Sequence, residues 1–254
     1  MSIRHFPIYK LLNLFRAWGL IYSVKYGIIF QCRYNDSAKL VKEKIQDGTL
    51  GKIISARVVL TWCKNDEYYS LSDWKGTWDK EGGGVLIDQA IHSVDLANWF
   101  IDDEIESVQA HLSNRGHSIM EVDDTAEGFV RYKGGATLAF WAMNNYGCDE
   151  PIEIRLLCEN GKVTMDYDNA DIVLNNGEHI SAQTTIDPDV VYENGKDYWG
   201  FQHIREIADF YDAVESDREP TISGREALKI QKLICEIYKK GTENFQRHAD
   251  KLFV

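Results

Sequence analysis

The spacing of hydrophobic and polar positions changes along this chain, and the change divides it. From Ile105 to about Gln183 the pattern alternates with period two. "TAEGFVRY" and "ATLAFWAM" flank Lys133-Gly134-Gly135, "IEIRLLC" and "KVTMDY" flank Glu159-Asn160-Gly161, and Asn175-Asn176-Gly177 precedes "EHIS". Glycine and asparagine supply the left-handed backbone that tight hairpin turns require, so these runs predict consecutive antiparallel strands. "KIISARVVLTW", rich in β-branched residues, predicts an earlier strand.

Elsewhere the period is helical. "NDSAKLVKEKIQDGTLG" offers Asn35, Asp36 or Ser37 as a cap, Leu40, Val41 and Ile45 as a buried stripe, and Gly48 and Gly51 as stops. "FQHIREIADFYDAVES" and "GREALKIQKLICEIYKKG" close the chain as helices, the second with a basic last turn. "VKYGIIFQ" predicts a strand, preceded by an amphipathic helix over "LLNLFRAWGLIYSV". That apolar stretch is too short to span a bilayer, and Arg16 together with the lack of a small-residue cleavage site argues against a signal peptide. The fold class expected is α+β: a large, mostly antiparallel open sheet with helices gathered on one face.

A further helix is predicted from roughly residue 85 to 101, entered through Gly82-Gly83-Gly84. On a wheel of 100° per residue, Asp88, His92, Asp95 and Trp99 fall within about 60° of one another. Leu86, Ile87, Ala90, Ile91, Val94, Ala97 and Ile101 fill the opposite arc. A solvated face is the plain alternative for such a stripe. Against it, residues 85–101 contain no Lys, Arg or Glu, the usual tenants of a wet helical face. Asp88 and His92, one turn apart, are therefore read as an acid–base pair in a cleft. A cation site built from Asp88, His92 and Asp95 is the weaker alternative, because helical spacing alone supplies too few ligands.

The chain has 254 residues, 44% hydrophobic and 12% aromatic, enough to bury a sizeable core. A formal net charge of −12 excludes the basic footprint that nucleic acid or an anionic membrane would demand. Five cysteines without a CxxC predict free thiols in a reducing, cytoplasmic setting. The sequence contains no GxGxxG and no P-loop, and the glycine run at 82–84 does not follow a strand of a βαβ unit.

"WKGTWDKEGGGVLIDQAIHSVDLANWF" resembles the central motif of the glucose–fructose oxidoreductase / inositol dehydrogenase / MocA (Gfo/Idh/MocA) family: a glycine run, then Asp, His four residues later and Asp three after that. "FQCRYNDSAKLVKEKIQDGTLGKI" is similar to that family's last Rossmann strand and crossover helix, and "FQHIREIADFYDAV" and "GREALKIQKLICEIY" to its closing helices; the likeness covers about 25 to 245. The resemblance implies a dihydrodipicolinate-reductase-like C-terminal domain over residues 35–254. It makes residues 1–34 the remnant of a nucleotide-binding domain, with 1–24 atypical. It further implies NAD or NADP as cofactor and a sugar, polyol or nucleotide-sugar hydroxyl as the reacting group. His92 would be the proton-transferring group and Asp88 the substrate-binding carboxylate. Arg33 and Tyr34 would run past the nicotinamide, and Trp74, Lys75, Tyr198, Trp199 and His203 would be pocket-wall residues. The glycine fingerprint, acidic ribose partner and Glu-Lys-Pro segment of the family are absent from the sequence, which reads as a truncated member. A non-catalytic carbohydrate-binding or oligomerisation module is the competing expectation. Either way the two-faced sheet predicts a homo-oligomer, a dimer or tetramer, because the helices can cover only one of its faces.

Overall fold

In the computed structural model the described residues are 25–185 and 202–247. In chain order the strands are β1 (Ile53–Thr61), β2 (Ile105–Asn114), β3 (Thr125–Tyr132), β4 (Thr137–Met143), β5 (Glu153–Cys158), β6 (Gly161–Met165), β7 (Asn169–Leu174), β8 (His179–Gln183) and the two-residue β9 (Gln246–Arg247). They form one sheet in the order β8-β7-β6-β5-β1-β4-β3-β2-β9. Three hairpins fall where the turn residues place them, β3 with β4, β5 with β6 and β7 with β8. Strand β6 also pairs with β7, through a turn at 166–168 that the sequence pattern does not place, and all four pairings are antiparallel. Strand β1 is inserted between β4 and β5, parallel to the first and antiparallel to the second. The pairing β2·β9 is also parallel.

The helices are α1 (Asp36–Gln46), the short α2 (Asp66–Ser70), α3 (Ile91–Ile101), α4 (His203–Glu215) and α5 (Gly224–Gly241). Helix α5 lies against β2, α3 against β1, and α1 against β7 and β8, so the helical layer covers one face of the sheet. Strand alternation sends Val58, Leu60, Leu138, Phe140, Ile154, Leu156, Val163 and Ile172 into that interface, all buried. From α5 come Ile230, Leu233, Ile234, Ile237 and Tyr238, each with no exposed surface. Burying an aliphatic side chain of this size is worth roughly 1.5–3 kcal/mol, which is what holds helix and sheet together. Ser223 starts α5 by accepting the amide N–H of Glu226 at 3.4 Å, a side-chain cap of the expected kind.

Two expectations need correction. Residues 25–31, the described part of the expected strand, do not form one. Gly27 makes one isolated bridge to Ser223, with Ile28 N donating to Ile222 O at 3.2 Å, and the chain then enters a 3₁₀ turn, Gln31–Tyr34. The backbone around Gly27 pairs with the loop before α5 rather than with a sheet strand, Gly224 N donating to Tyr26 O at 3.2 Å. The helix at 85–101 is not uniformly α either, since Leu86–Ala90 forms a π-turn before α3 begins. No helix among the described residues is long and apolar enough to cross a membrane. The expected helix before residue 25 and the pocket-wall positions Tyr198 and Trp199 lie outside the described residues.

Candidate functional site

Asp123 determines where the central helix starts. Its carboxylate accepts Gly84 N at 2.8 Å and Leu86 N at 3.3 Å, and Tyr238 OH donates to it at 3.4 Å. The glycines permit this close approach. A Cβ on Gly84 would stand 1.9 Å from the Asp123 carbonyl oxygen, and one on Gly83 would stand 2.2 Å from the Tyr238 hydroxyl. Burial pushes the Asp123 carboxyl up to about 7, against the opposing pull of the Gly84 and Leu86 amides.

Beyond that cap the polar stripe is divided among separate tasks. Asp95 is buried and receives Arg33 in a fork, Nε to Oδ2 at 2.7 Å and NH2 to Oδ1 at 2.6 Å. Arg33 also faces Glu226 at 3.7 Å and sits over the rings of Trp99 (5.3 Å) and Phe30 (5.8 Å). Removing one partner of such a buried pair costs about 3–5 kcal/mol, so this fork anchors the 3₁₀ turn to α3. Asp95 is thereby committed, and the three-residue cation set does not assemble around it. Arg33 and Tyr34, expected near a nicotinamide, line a hollow of about 280 Å³ with Lys39, Lys42 and Trp99. Tyr34 OH itself donates to Asp209 at 2.9 Å.

Asp88, His92 and Trp99 are the half-buried members of the stripe, and Asp88 and His92 are its titratable ones. Asp88 accepts from Tyr68 OH at 3.3 Å and from the side-chain amide of Gln89. Gln89 is fixed in turn by Asn144, whose Nδ2 donates to its Oε1 at 2.9 Å. Lys75 stacks its ammonium 3.6 Å from the centre of the Tyr68 ring and 5.6 Å from that of Trp74, which is exposed. The structure thus brings Trp74 and Lys75 to Asp88 through Tyr68, a residue that sequence reasoning missed. Its signal was Asn65, which caps α2 by accepting Tyr68 N at 3.0 Å.

His92 meets a different set of groups. Its ring packs edge-on against Phe30 at 5.6 Å. Burial pushes its pKa down to about 4, and the charge of His203 adds to the push. The imidazole is therefore neutral near pH 7, the form that can accept a proton. Asp88 is not among the groups that shift it; burial and His203 are. Phe30 connects this group to α4, its N–H donating to Glu206 Oε1 at 3.0 Å. Glu206, another residue that sequence reasoning missed, is buried and pushed up to about 7 by that burial.

The glycine run does not fit the phosphates of a dinucleotide. Such a cradle needs open backbone N–H groups at a helix N-terminus, and here the amides of Gly84 and Leu86 are taken by Asp123 while Tyr238 fills the approach.

Comparison with known proteins extends this picture. Residues 38–164, half of the chain, match the GFO/IDH/MocA C-terminal domain. The chain is 24% identical to the myo-inositol 2-dehydrogenase of Thermotoga maritima over 84% of its own length and 61% of that protein's. It is 24% identical to the 1,5-anhydro-D-fructose reductase of Ensifer adhaerens over 75% and 54% respectively. It thus spans little more than half the length of these curated relatives. Among solved structures, the WlbA dehydrogenase of Bordetella pertussis, in complex with NADH and UDP-GlcNAcA, superposes with a TM-score of 0.78 at 25% identity, over 96% of this chain and 68% of that one. The aldose-aldose oxidoreductase of Caulobacter crescentus superposes with a TM-score of 0.75 at 19% identity, over 92% and 67%, and shows the same fold. With its antiparallel sheet, one-sided helical cover and Asp–His helix, the chain belongs to the Gfo/Idh/MocA family of oxidoreductases.

Proposed function

We propose that this chain supplies the substrate-side half of an NAD(P)-dependent oxidoreductase that acts on a hydroxyl of a sugar, polyol or nucleotide sugar. The supporting observation is His92, kept neutral by burial on a helix whose other buried acid, Asp95, is already neutralised by Arg33. Asp88, braced by Tyr68 and Gln89, presents a carboxylate able to accept hydrogen bonds from a neighbouring hydroxyl. His92 takes the proton of the reacting hydroxyl. Trp74 and Lys75 supply an apolar platform and a cation beside Asp88, and His203 adjoins His92. The packed glycine run at 82–84 is not a dinucleotide phosphate cradle, so no phosphate contact is assigned to it.

That same observation favours a second reading, a carbohydrate-binding or oligomerisation module without catalysis. Calorimetric titration with a panel of hexoses, cyclic polyols and nucleotide sugars, alongside NADH and NADPH, tests the substrate-side assignment. The catalytic-half reading expects saturable carbohydrate binding that Asp88→Ala weakens at least tenfold, about 1.4 kcal/mol, and no saturable dinucleotide binding by this chain alone. Absence of binding across the carbohydrate panel would remove the substrate-side assignment, and tight NADH binding would mean a self-sufficient enzyme.

The sheet's open face supports self-association. Strand register puts Phe129, Ala139 and Trp141 on it, with Phe129 half exposed. The face is more mixed than the alternation suggested. Arg57 and Arg155 stand opposite each other and are bridged by Glu153 at 2.5 and 2.6 Å. An apolar centre ringed by paired charges suits a two-fold contact between copies of this chain.

A further inference from the structure

The loops that leave β1 and β4 run side by side and return over one another. Cys63 bridges Asn145, Tyr146 N donates to Trp62 O at 3.1 Å, and Glu150 N donates to Thr61 O at 2.9 Å. Cys63 N donates to the Asp149 carboxylate at 2.7 Å, which brings the position after Cys148 onto Cys63 itself. Both thiols are exposed, whereas Cys32 and Cys158 are buried. Residues 145–151 are all exposed, and Gly147 turns at φ 93°, so this loop can shift without disturbing the core.

We propose that Cys63 and Cys148 form a reversible intramolecular disulfide, a redox modification site at the end of the sheet that frames Asp88. The oxidant is a low-molecular-weight disulfide such as oxidised glutathione. The Cys63 thiolate attacks it and expels one glutathione thiolate. The Cys148 sulfur, after losing its proton to solvent, then displaces the second glutathione from Cys63. Two protein thiols are oxidised, one glutathione disulfide is reduced to two glutathiones, and the two protons are accounted for on them. Cys63 is among the groups that raise the Cys148 thiol, which places the two sulfurs within electrostatic range of each other.

Both arms of the bridge lead to the partners of Asp88. On the Cys63 side, Asn65 caps the helix that carries Tyr68. On the Cys148 side, Asn144 holds Gln89. Closing the bridge ties these two supports together; the functional meaning of that tie, though not the bond itself, rests on the reading of Asp88 proposed above.

The test uses the full chain equilibrated with oxidised and reduced glutathione, then alkylated and mapped by mass spectrometry. The expected product is lighter by two hydrogens, with the peptides containing Cys63 and Cys148 cross-linked and the three other thiols alkylated. Cys63→Ser and Cys148→Ser should each convert that product into a single mixed disulfide with glutathione. Mixed disulfides at both positions of the unsubstituted chain, or links between chains, would overturn the proposal. Amide exchange over residues 62–70 and 144–150 should slow on oxidation. A cross-link that leaves exchange there unchanged would overturn the coupling to Asp88, and carbohydrate titration of the reduced chain tests the Asp88 reading separately.

Discussion

Glu81, Asp123 and Glu206 are buried carboxyls that desolvation pushes up to about 7. Their native pKa lies above the unfolded one, so between about 4 and 7 the native state holds more protons than the unfolded chain. The stability these protons contribute is present at low pH and is lost as pH rises through 7. His92 acts with the opposite sign. Its native pKa of about 4 lies below the ordinary 6.5, so its contribution is lost as pH falls between those values. Three carboxyls outweigh one imidazole, and urea midpoints should fall from pH 5 to pH 8. Glu206→Gln keeps an acceptor for Phe30 N without the charge, and it should raise stability at pH 8 by roughly 1–3 kcal/mol while flattening that slope. A variant less stable than the parent at pH 8 would show that the folded chain uses the Glu206 charge. Glu206 was not legible in the sequence because a glutamate in an amphipathic helix reads as a wet residue. The Arg33–Asp95 fork was equally hidden, since its partners are 62 positions apart. Asp88 and His92 stood out for a local reason: their helix lacks the long charged side chains that solvated faces carry.

The entry to the central helix depends on glycine. Gly84→Ala would drive a methyl into the Asp123 carbonyl at 1.9 Å, against backbone that cannot rotate away. Overpacking of this kind costs about 1–3 kcal/mol, and loss of the Asp123 cap costs about 1 kcal/mol more. The expected result is a lowered melting temperature with a disturbed near-ultraviolet spectrum; a variant that melts with the parent would show that the cap is dispensable. The glycine run was visible in the sequence, but its purpose was not, because Asp123 and Tyr238 reach it from 39 and 154 residues away. Three of the hairpins were legible because their Gly- and Asn-bearing turns are encoded within three residues, whereas the β6–β7 turn carries no such signal. The segment 25–31 misled for the converse reason: β-branched composition favours extended backbone, but a strand also needs a sheet edge to pair with, and here the backbone makes one bridge to the loop before α5 and one bond to the Glu206 side chain.

For the whole molecule, the two-fold association proposed for the open sheet face makes Phe129 the informative position. It is half exposed in the single chain, so Phe129→Glu should leave the fold intact. Sedimentation velocity at micromolar concentration should find a dimer or larger species for the parent and a monomer for the variant; a parent that stays monomeric as concentration rises would refute the association. Which face is open could be read from alternation once the register was known, whereas the place of β1 could not, because nothing in its own residues names its neighbours. That place has a consequence for how the protein comes into being. β1 comes first in chain order among the strands of this sheet in the described residues, yet it occupies the middle, between β4 and β5. Its partners begin at Thr137 and Glu153, so for some eighty residues of translation it has two bare edges and no ladder. Pairing so distant in sequence is slow to form and leaves sticky edges open meanwhile. On the ribosome, the sheet must therefore close around a strand that has been waiting since the start of the domain, and Arg57 at its centre is the one charge that strand carries against premature partners.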